Sequence, residues 1–273
     1  MPTPQANDRE FDFTQRDFQF ISKLVHQRIG IVLKENKFDM VYSRMARRLR
    51  VLNLRSVADY LDFLQSDAGA DEMGNMVNAI TTNLTSFFRE PHHFEHLAKH
   101  VFTPFAKSGE SRLRIWSAGC SAGAEPYSIA MTMMEAIPDF ARRDCKILAT
   151  DIDTNMVEKG RNGIYDEDWI DKIPANLRVK YVEGNQIGAK AKSLITFKPL
   201  NLLDGWPMSG KFDAIFCRNV VIYFDKETQA PLFSRYADML KPNGYLYIGH
   251  SENLNGVCDR FKLVDKTTYQ RIK

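Results

Sequence analysis

Phe18, Ile21, Val25 and Ile29 recur at the three- and four-residue spacing that puts one apolar stripe on a helix. Thr14 with Asp17 three residues later is a near variant of a capping box, so this first helix is predicted to begin there and to end at Gly30. A second helix is predicted from about Glu35, with Val41, Met45, Leu49 and Leu52 on one side and Arg44, Arg47 and Arg48 on the adjoining side. Ser56-Val-Ala-Asp59 opens a third, and about Asp71 to Ile80 reads as a fourth, so residues 1–80 form a small all-helical domain.

From Leu113 the texture changes to short apolar runs alternating with helical patterns, the mark of a mostly parallel sheet covered on both faces. Strands are predicted at Leu113–Trp116, Lys146–Thr150, Leu194–Phe197, Phe212–Cys217 and Tyr245–Ile248. Helices are predicted at about Glu125–Ala136, from Asp153, and from Asp225 to Leu240. Phe261–Val264 and Thr268–Ile272 read as a closing antiparallel hairpin. A dinucleotide-binding sheet ends by adding another parallel strand, whereas S-adenosylmethionine-dependent methyltransferases insert an antiparallel final one. The expected fold is therefore α/β, a Rossmann-like methyltransferase sheet with an antiparallel carboxyl-terminal hairpin. About 161–200 fits neither pattern, and with a β-like Arg178–Val182 it is expected to be a small β insertion within a 95–273 methyltransferase domain.

Composition narrows the setting. At 44% hydrophobic and 26% charged residues the chain is an ordinary globular one, not a disordered one. It has no apolar leader pattern at its start and no run of eighteen apolar residues, so a soluble intracellular protein is expected. Cys120, Cys145, Cys217 and Cys258 match neither a C-x-x-C pair nor a zinc knuckle, and reduced thiols are expected. A net charge of +3 does not demand nucleic acid, although between Lys34 and Arg55 seven basic residues face two acidic ones.

The candidate chemistry lies where predicted strands end. Leu113–Trp116 runs into Ser117-Ala-Gly-Cys-Ser-Ala-Gly-Ala-Glu125, whose Gly119 and Gly123 would make a tight turn into a helix. The G-x-x-x-G spacing is neither a dinucleotide fingerprint nor a phosphate loop. Glu125 would repel a pyrophosphate and welcome an α-amino group, or it is simply a favourable first-turn carboxylate. Asp151 closes the second strand, where an acid can accept both hydroxyls of a ribose, while Asp153 is better placed to cap the next helix; both could be caps. Asn201 and Asn219 follow later strands, and an amide pairs with the N6 and N1 edge of adenine. Tyr223, by itself, reads as a packing residue.

Taken together, T-T-N-L-T-S-F-F-R-E-P-H-H-F (81–94), W-S-A-G-C-S-A-G-A-E-P-Y-S-I-A, A-T-D-I-D, N-L-L-D and F-C-R-N-V-V-I-Y-F-D resemble the bacterial chemotaxis receptor glutamate O-methyltransferase family, CheR, over nearly the whole chain. The resemblance implies that Asn83, Thr85, Arg89, Gly119, Glu125, Asp151, Asn201, Leu202, Arg218 and Asn219 contact S-adenosylmethionine. Arg89 and Tyr223 are implied to lie by the transferred methyl, with no metal involved. Ala124 stands where the family often has an acidic or amide residue, which leaves Glu125 in register. The 81–94 segment is then a linker that also walls the cofactor site, pinned by Phe87 and Phe88. His92, His93, His96 and His100 are expected on or near the surface of a helix from about Pro91.

The implied activity is methyl transfer to glutamate carboxylates of chemoreceptors, with S-adenosylhomocysteine as the other product. The implied partners are the cytoplasmic methylation helices of transmembrane chemoreceptors, met by Arg44, Arg47 and Arg48, and in some members a receptor carboxyl-terminal peptide on the β insertion. The implied location is the cytoplasm, with recruitment to membrane receptor arrays. A nucleic-acid methyltransferase would share sheet and cofactor but calls for a stacking platform or a continuous basic stripe, and neither is evident. A catalytically inactive chemoreceptor-binding protein is disfavoured by the intact candidate residues.

Overall fold

The computed structural model describes residues 9–273, and the start of the chain, where no apolar leader pattern is expected, lies outside them. Two compact units result, Met1–Thr82 and Asn83–Lys273. The first carries helices α1 (Gln15–Ile29), α2 (Phe38–Leu52), α3 (Val57–Gln65) and α4 (Ala70–Ile80). The Thr14/Asp17 box is formed in both directions, and Gly30 ends α1 in the left-handed conformation, at φ 72°. Glu35–Lys37 is a 3-10 turn, so α2 starts three residues later than the apolar pattern suggests. Phe18, Ile21, Val25, Val41, Met45 and Leu49 make the core.

Arg48 is turned into this unit. It holds the carboxylate of Glu72 with two hydrogen bonds, 2.8 and 2.6 Å, and Glu72 also accepts from Tyr60 Oη at 2.9 Å and Asn75 Nδ2 at 3.1 Å. Arg44 donates to the carbonyls of Ile80 and Thr81 at the end of α4. Of the three arginines expected to face a receptor, Arg47 is the exposed one, and the other two are bound up in the fold.

The second unit opens with α5 (His92–Leu97), a π-helical turn (Ala98–Phe102) and α6 (Thr103–Lys107). It continues through β1 (Arg112–Ala118), α7 (Ala124–Ala136), β2 (Asp144–Asp151) and α8 (Thr154–Asn162). Next come α9 (Glu167–Ile170), α10 (Ala175–Tyr181), β3 (Val182–Glu183), β4 (Gln186–Ile187), α11 (Ala189–Ser193) and β5 (Ile195–Pro199). The chain ends with β6 (Phe212–Cys217), α12 (Lys226–Met239), β7 (Leu240–Ile248), β8 (Phe261–Asp265) and β9 (Thr268–Arg271).

Seven strands form one sheet in the order β5-β2-β1-β6-β7-β9-β8. β1, β2, β5, β6 and β7 are parallel, and the last strand, β9, is inserted antiparallel between β7 and β8. Strand alternation sends Ile115, Phe216 and Tyr247 to one buried cluster and Trp116, Ile215, Cys217 and Ile248 to the other. The sheet is thus buried on both faces. The chain builds outward from β1 to β5 and then crosses to β6, so the carboxyl ends of β1 and β6 border a topological switch point, where α/β sheets bind ligands.

The predicted strand at Arg178–Val182 is instead mostly helix α10. Leu177 is buried and Tyr181 half-buried four residues on, whereas Val179 between them is 85% exposed, a helical face and not a strand alternation. What the segment keeps of β structure is the separate two-stranded β3–β4 hairpin, turned at Gly184 with φ 62°. His93 and His96, expected near the surface, are buried at 0% and 8% exposure. His93 Nε2 pairs with Thr267 Oγ1 at 3.0 Å, and His96 Nδ1 with the Tyr247 hydroxyl at 2.9 Å. Burial pulls their pKa values down to about 3 and about 4, so both are neutral core groups.

Candidate active site

Five parallel strands end on one rim, and each end contributes a polar group. After β1, Gly119 at φ 84° turns the chain, and its backbone N–H together with that of Cys120 is tied to Thr150 O. A Cβ on Gly119 would stand 2.3 Å from Val220 Cγ2, so glycine is required by the packing of the β6 loop on this turn. Gly123, at φ 90°, lies against Gly160, Tyr165 and Phe197 and lets α7 start close to the sheet.

Glu125, in the first turn of α7, is buried. It accepts from Ser117 Oγ at 2.7 Å and from Arg218 at 3.1 Å, and burial still raises its pKa. Asp151, at the end of β2, accepts the Ser121 N–H at 2.7 Å and the Asp153 N–H at 2.9 Å. Those two bonds aim its carboxylate, and burial lifts its pKa to about 6. Asp153 caps α8, as its position in the sequence suggests, and its other oxygen accepts from Asn83 Nδ2 at 2.7 Å. Asn83 is thereby fixed to the β2 rim.

After β5, Asn201 folds into its own turn, accepting from Leu203 N at 3.1 Å and donating to Asp204, while Leu202 is buried in the second cluster. After β6, Arg218 is buried and Asn219 is left-handed at φ 59°. Tyr223 sits in the 3-10 turn Val221–Tyr223, half-buried and in neither apolar cluster. Arg89 donates to Leu84 O at 3.0 Å, and its side chain is 30% exposed. Phe87 is buried edge-on to Tyr165, and the Phe88 N–H bonds Ser128 Oγ at 3.0 Å, which pins this segment to α7.

Two supports were not legible as site residues. Glu252, buried beyond β7, accepts the N–H groups of Asn219 at 3.0 Å, Ile222 at 3.2 Å and Gly249 at 2.5 Å, and so shapes the Asn219–Tyr223 loop. A Cβ on Gly249 would come within 2.5 Å of Asn219 Nδ2, so this glycine makes room for that amide. The signal was an acid just beyond a parallel strand, as with Asp151. The second is Glu90, at φ 56° beside Phe88 at φ 51°, two non-glycine residues in left-handed backbone. Glu90, His92 and His93 bring three ligand-type atoms within 4.8 Å of one another. The Arg218 guanidinium, 3.4 Å from Glu90 Oε2, already supplies the positive charge there and would repel a metal ion.

The donor set suits a cationic, hydroxyl-bearing nucleoside. Glu125 offers a buried anion for an ammonium, Asp151 a fixed acceptor for hydroxyls, and Asn219 an amide. A parallel sheet with its last strand inserted antiparallel and this rim define the class of S-adenosylmethionine-dependent methyltransferase folds. The chain belongs to the CheR methyltransferase family: residues 83–270 match its S-adenosylmethionine-binding domain and 16–81 its all-alpha domain. It is 44% identical over 261 residues to the chemotaxis protein methyltransferase of Escherichia coli, covering 92% of this chain and 89% of that one. It is 43% identical over 258 residues to a probable chemotaxis protein methyltransferase of Rhizobium etli, covering 90% and 96%. To chemotaxis protein methyltransferase 2 of Pseudomonas aeruginosa it is 40% identical, covering 98% and 97%.

Proposed function

We propose that this protein transfers the methyl group of S-adenosylmethionine to glutamate side chains of chemoreceptors, giving glutamyl methyl esters. The observation that carries this reading is kinship over both domains and nearly the full length of the chemotaxis relatives. The chemistry supplied by the bound cofactor is an electrophilic methyl: a carboxylate oxygen forms the new C–O bond as the C–S bond breaks, with sulfur keeping the electron pair. A glutamate acceptor, with a reference pKa of about 4.3, is already ionised near neutral pH, so no residue has to act as a general base.

The chain's own residues then bind, orient and exclude water. Glu125 takes the cofactor's ammonium, Asp151 its ribose hydroxyls, and the Asn201-Leu202 pair with Asn219 its adenine. Gly119 shapes the turn over which the cofactor lies, Arg218 steadies Glu125, and Asn83 and Thr85 close the near wall. Arg89 and Tyr223 hold the acceptor carboxylate, Arg89 with its charge softened by the Glu90 carboxylate 3.9 Å away. A looser hold preserves nucleophilicity that a tight bidentate pair would quench. The label transferred to receptors should be released as methanol by mild alkali; an alkali-stable product would mark a different linkage and sink the ester assignment.

Receptor recognition is assigned to the helical 1–80 domain, with 81–94 as the linker that serves the site and 95–273 as the methyltransferase domain. Among the basic residues of α2, exposed Arg47 is the natural contact for an acidic receptor helix, with Arg44 and Arg48 shaping the surface that presents it. A receptor carboxyl-terminal peptide would add to the outer edge of β3, because the other side of the hairpin is taken by the Ile164–Gln186 bridge. No helix among the described residues is long and apolar enough to cross a membrane, and recruitment to receptor arrays in the cytoplasm would run through these contacts.

A further inference from the structure

Four buried side-chain atoms lack a hydrogen-bond partner among the described residues: Glu90 Oε2, His92 Nε2, His93 Nδ1 and Arg218 Nε. All four belong to the surroundings of one carboxylate. Glu90 Oε2 is 3.4 Å from Arg218 Nη2 and 3.6 Å from His93 Nδ1, while Oε1 meets His250 through its N–H at 3.3 Å and Nδ1 at 3.0 Å. Its side chain is 11% exposed. On its far side Arg218 reaches Glu125 at 3.1 Å, and it also donates to the carbonyl of Arg89. One buried guanidinium is therefore shared between two carboxylates, and the backbone of Glu90 is held in an unfavourable conformation to bring this about.

We infer that Glu90 is a positioning residue for the cofactor's ammonium group: by sharing Arg218 with Glu125 it keeps that guanidinium from fully compensating the Glu125 carboxylate, which is left for the ammonium to pair with. This rests on Glu125 being the ammonium's partner. The charge count makes the case. Arg218 lies between Glu90 and Glu125, and Arg89 reaches Glu90 at 3.9 Å; with Glu90 neutral, neither guanidinium is countered from that side, Arg218 bears on Glu125 alone, and an incoming ammonium enters a less negative region. Arg218 would also be free to draw fully onto Glu125. Buried charges at these separations are only weakly screened, so the loss is felt at the ligand and not absorbed by solvent.

Calorimetry on the full chain with two probes tests this: S-adenosylhomocysteine, which carries the ammonium, and 5′-methylthioadenosine, which has the same nucleoside without it. Glu90→Gln should weaken the first about tenfold and leave the second within about twofold. Glu90→Asp keeps the charge and should bind S-adenosylhomocysteine within about threefold of the parent, which also decides the matter should the Gln variant fail to fold. Equal losses for both probes would reduce Glu90 to loop support, and unchanged affinity in Glu90→Gln, or a tenfold selective loss in Glu90→Asp, would overturn the inference. Glu125→Gln separates the two levels. If it binds S-adenosylhomocysteine like the parent, the Glu125 assignment itself is wrong; if it loses that ligand selectively while Glu90→Gln does not, only the role of Glu90 fails.

Discussion

Replacing Arg48 by Met should destabilise the helical unit far more than replacing its neighbour Arg47. The Glu72 side chain is 3% exposed and that of Arg48 is 18% exposed, so the substitution leaves a carboxylate buried without its cation. Removing one partner of a buried ion pair costs about 3–5 kcal/mol. Glu72 keeps its bonds from Tyr60 and Asn75 and the pair is not fully dry, which favours the low end, about 3 kcal/mol. In a unit of this size each kcal/mol moves the midpoint by about 4–8 °C, so a fall of roughly 12 °C or more is expected in its unfolding transition. Arg47→Ala, on the exposed face, should stay within about 0.5 kcal/mol.

The pH dependence adds a second, sign-specific check. In the parent, Glu72 is the centre of two opposing effects: burial raises its pKa, but the bonds from Arg48, Tyr60 and Asn75 together win and lower it. A depressed carboxylate contributes stability above its unfolded pKa, and that contribution is lost as the pH falls through its folded value. Without Arg48 the largest of the lowering contributions is gone and the folded pKa of Glu72 rises relative to the parent, so the variant's deficit should shrink as the medium is acidified toward pH 4. Thermal unfolding by circular dichroism at neutral and mildly acidic pH is the assay. A parent-like midpoint in Arg48→Met, or a deficit that grows on acidification, would refute the reasoning.

Asp151→Ala should weaken S-adenosylhomocysteine by about 1.5–3 kcal/mol in calorimetry, the scale of hydrogen bonds to a charged acceptor. Because burial lifts Asp151 to about 6, the parent's affinity should itself fall as the pH drops through that value; a flat profile from pH 7.5 to 5 would argue against this acceptor. Tyr223→Phe should lower kcat at least tenfold in single-turnover methylation while changing S-adenosylhomocysteine affinity less than about twofold; a parent-like rate would return Tyr223 to a packing role. Arg47→Glu should raise KM for receptor and flatten its salt dependence with cofactor affinity unchanged; equal losses in both would point away from a receptor contact.

Local patterns carried much of the fold. The α1 cap, the alternation in β1 and β6 and the closing hairpin are short-range features, and the antiparallel β9 that separates this sheet from a dinucleotide-binding one could be read from them. Residues placed after strand ends, Glu125, Asp151, Arg218 and Asn219, come together because parallel strands all deliver their ends to one rim. What was illegible depends on partners distant in sequence. Arg47 and Arg48 are adjacent and chemically alike, yet a helical turn of about 100° sends one to solvent and the other to Glu72, on a different helix. His93 looks like a surface histidine until Phe216, Tyr247 and Thr267 are seen to enclose it. In Arg178–Val182 a β-branched pair mimicked a strand, but the apolar residues that pack are four apart.

The central claim is tested most directly by offering methyl-labelled S-adenosylmethionine and this protein to three acceptors in parallel: chemoreceptor-containing membranes, purified RNA, and buffer alone. The account predicts label in the receptor band of the first only, released by mild alkali and nearly absent with the Asp151→Ala protein. Label in RNA, or receptors left unlabelled by a folded protein that binds S-adenosylhomocysteine, would contradict it.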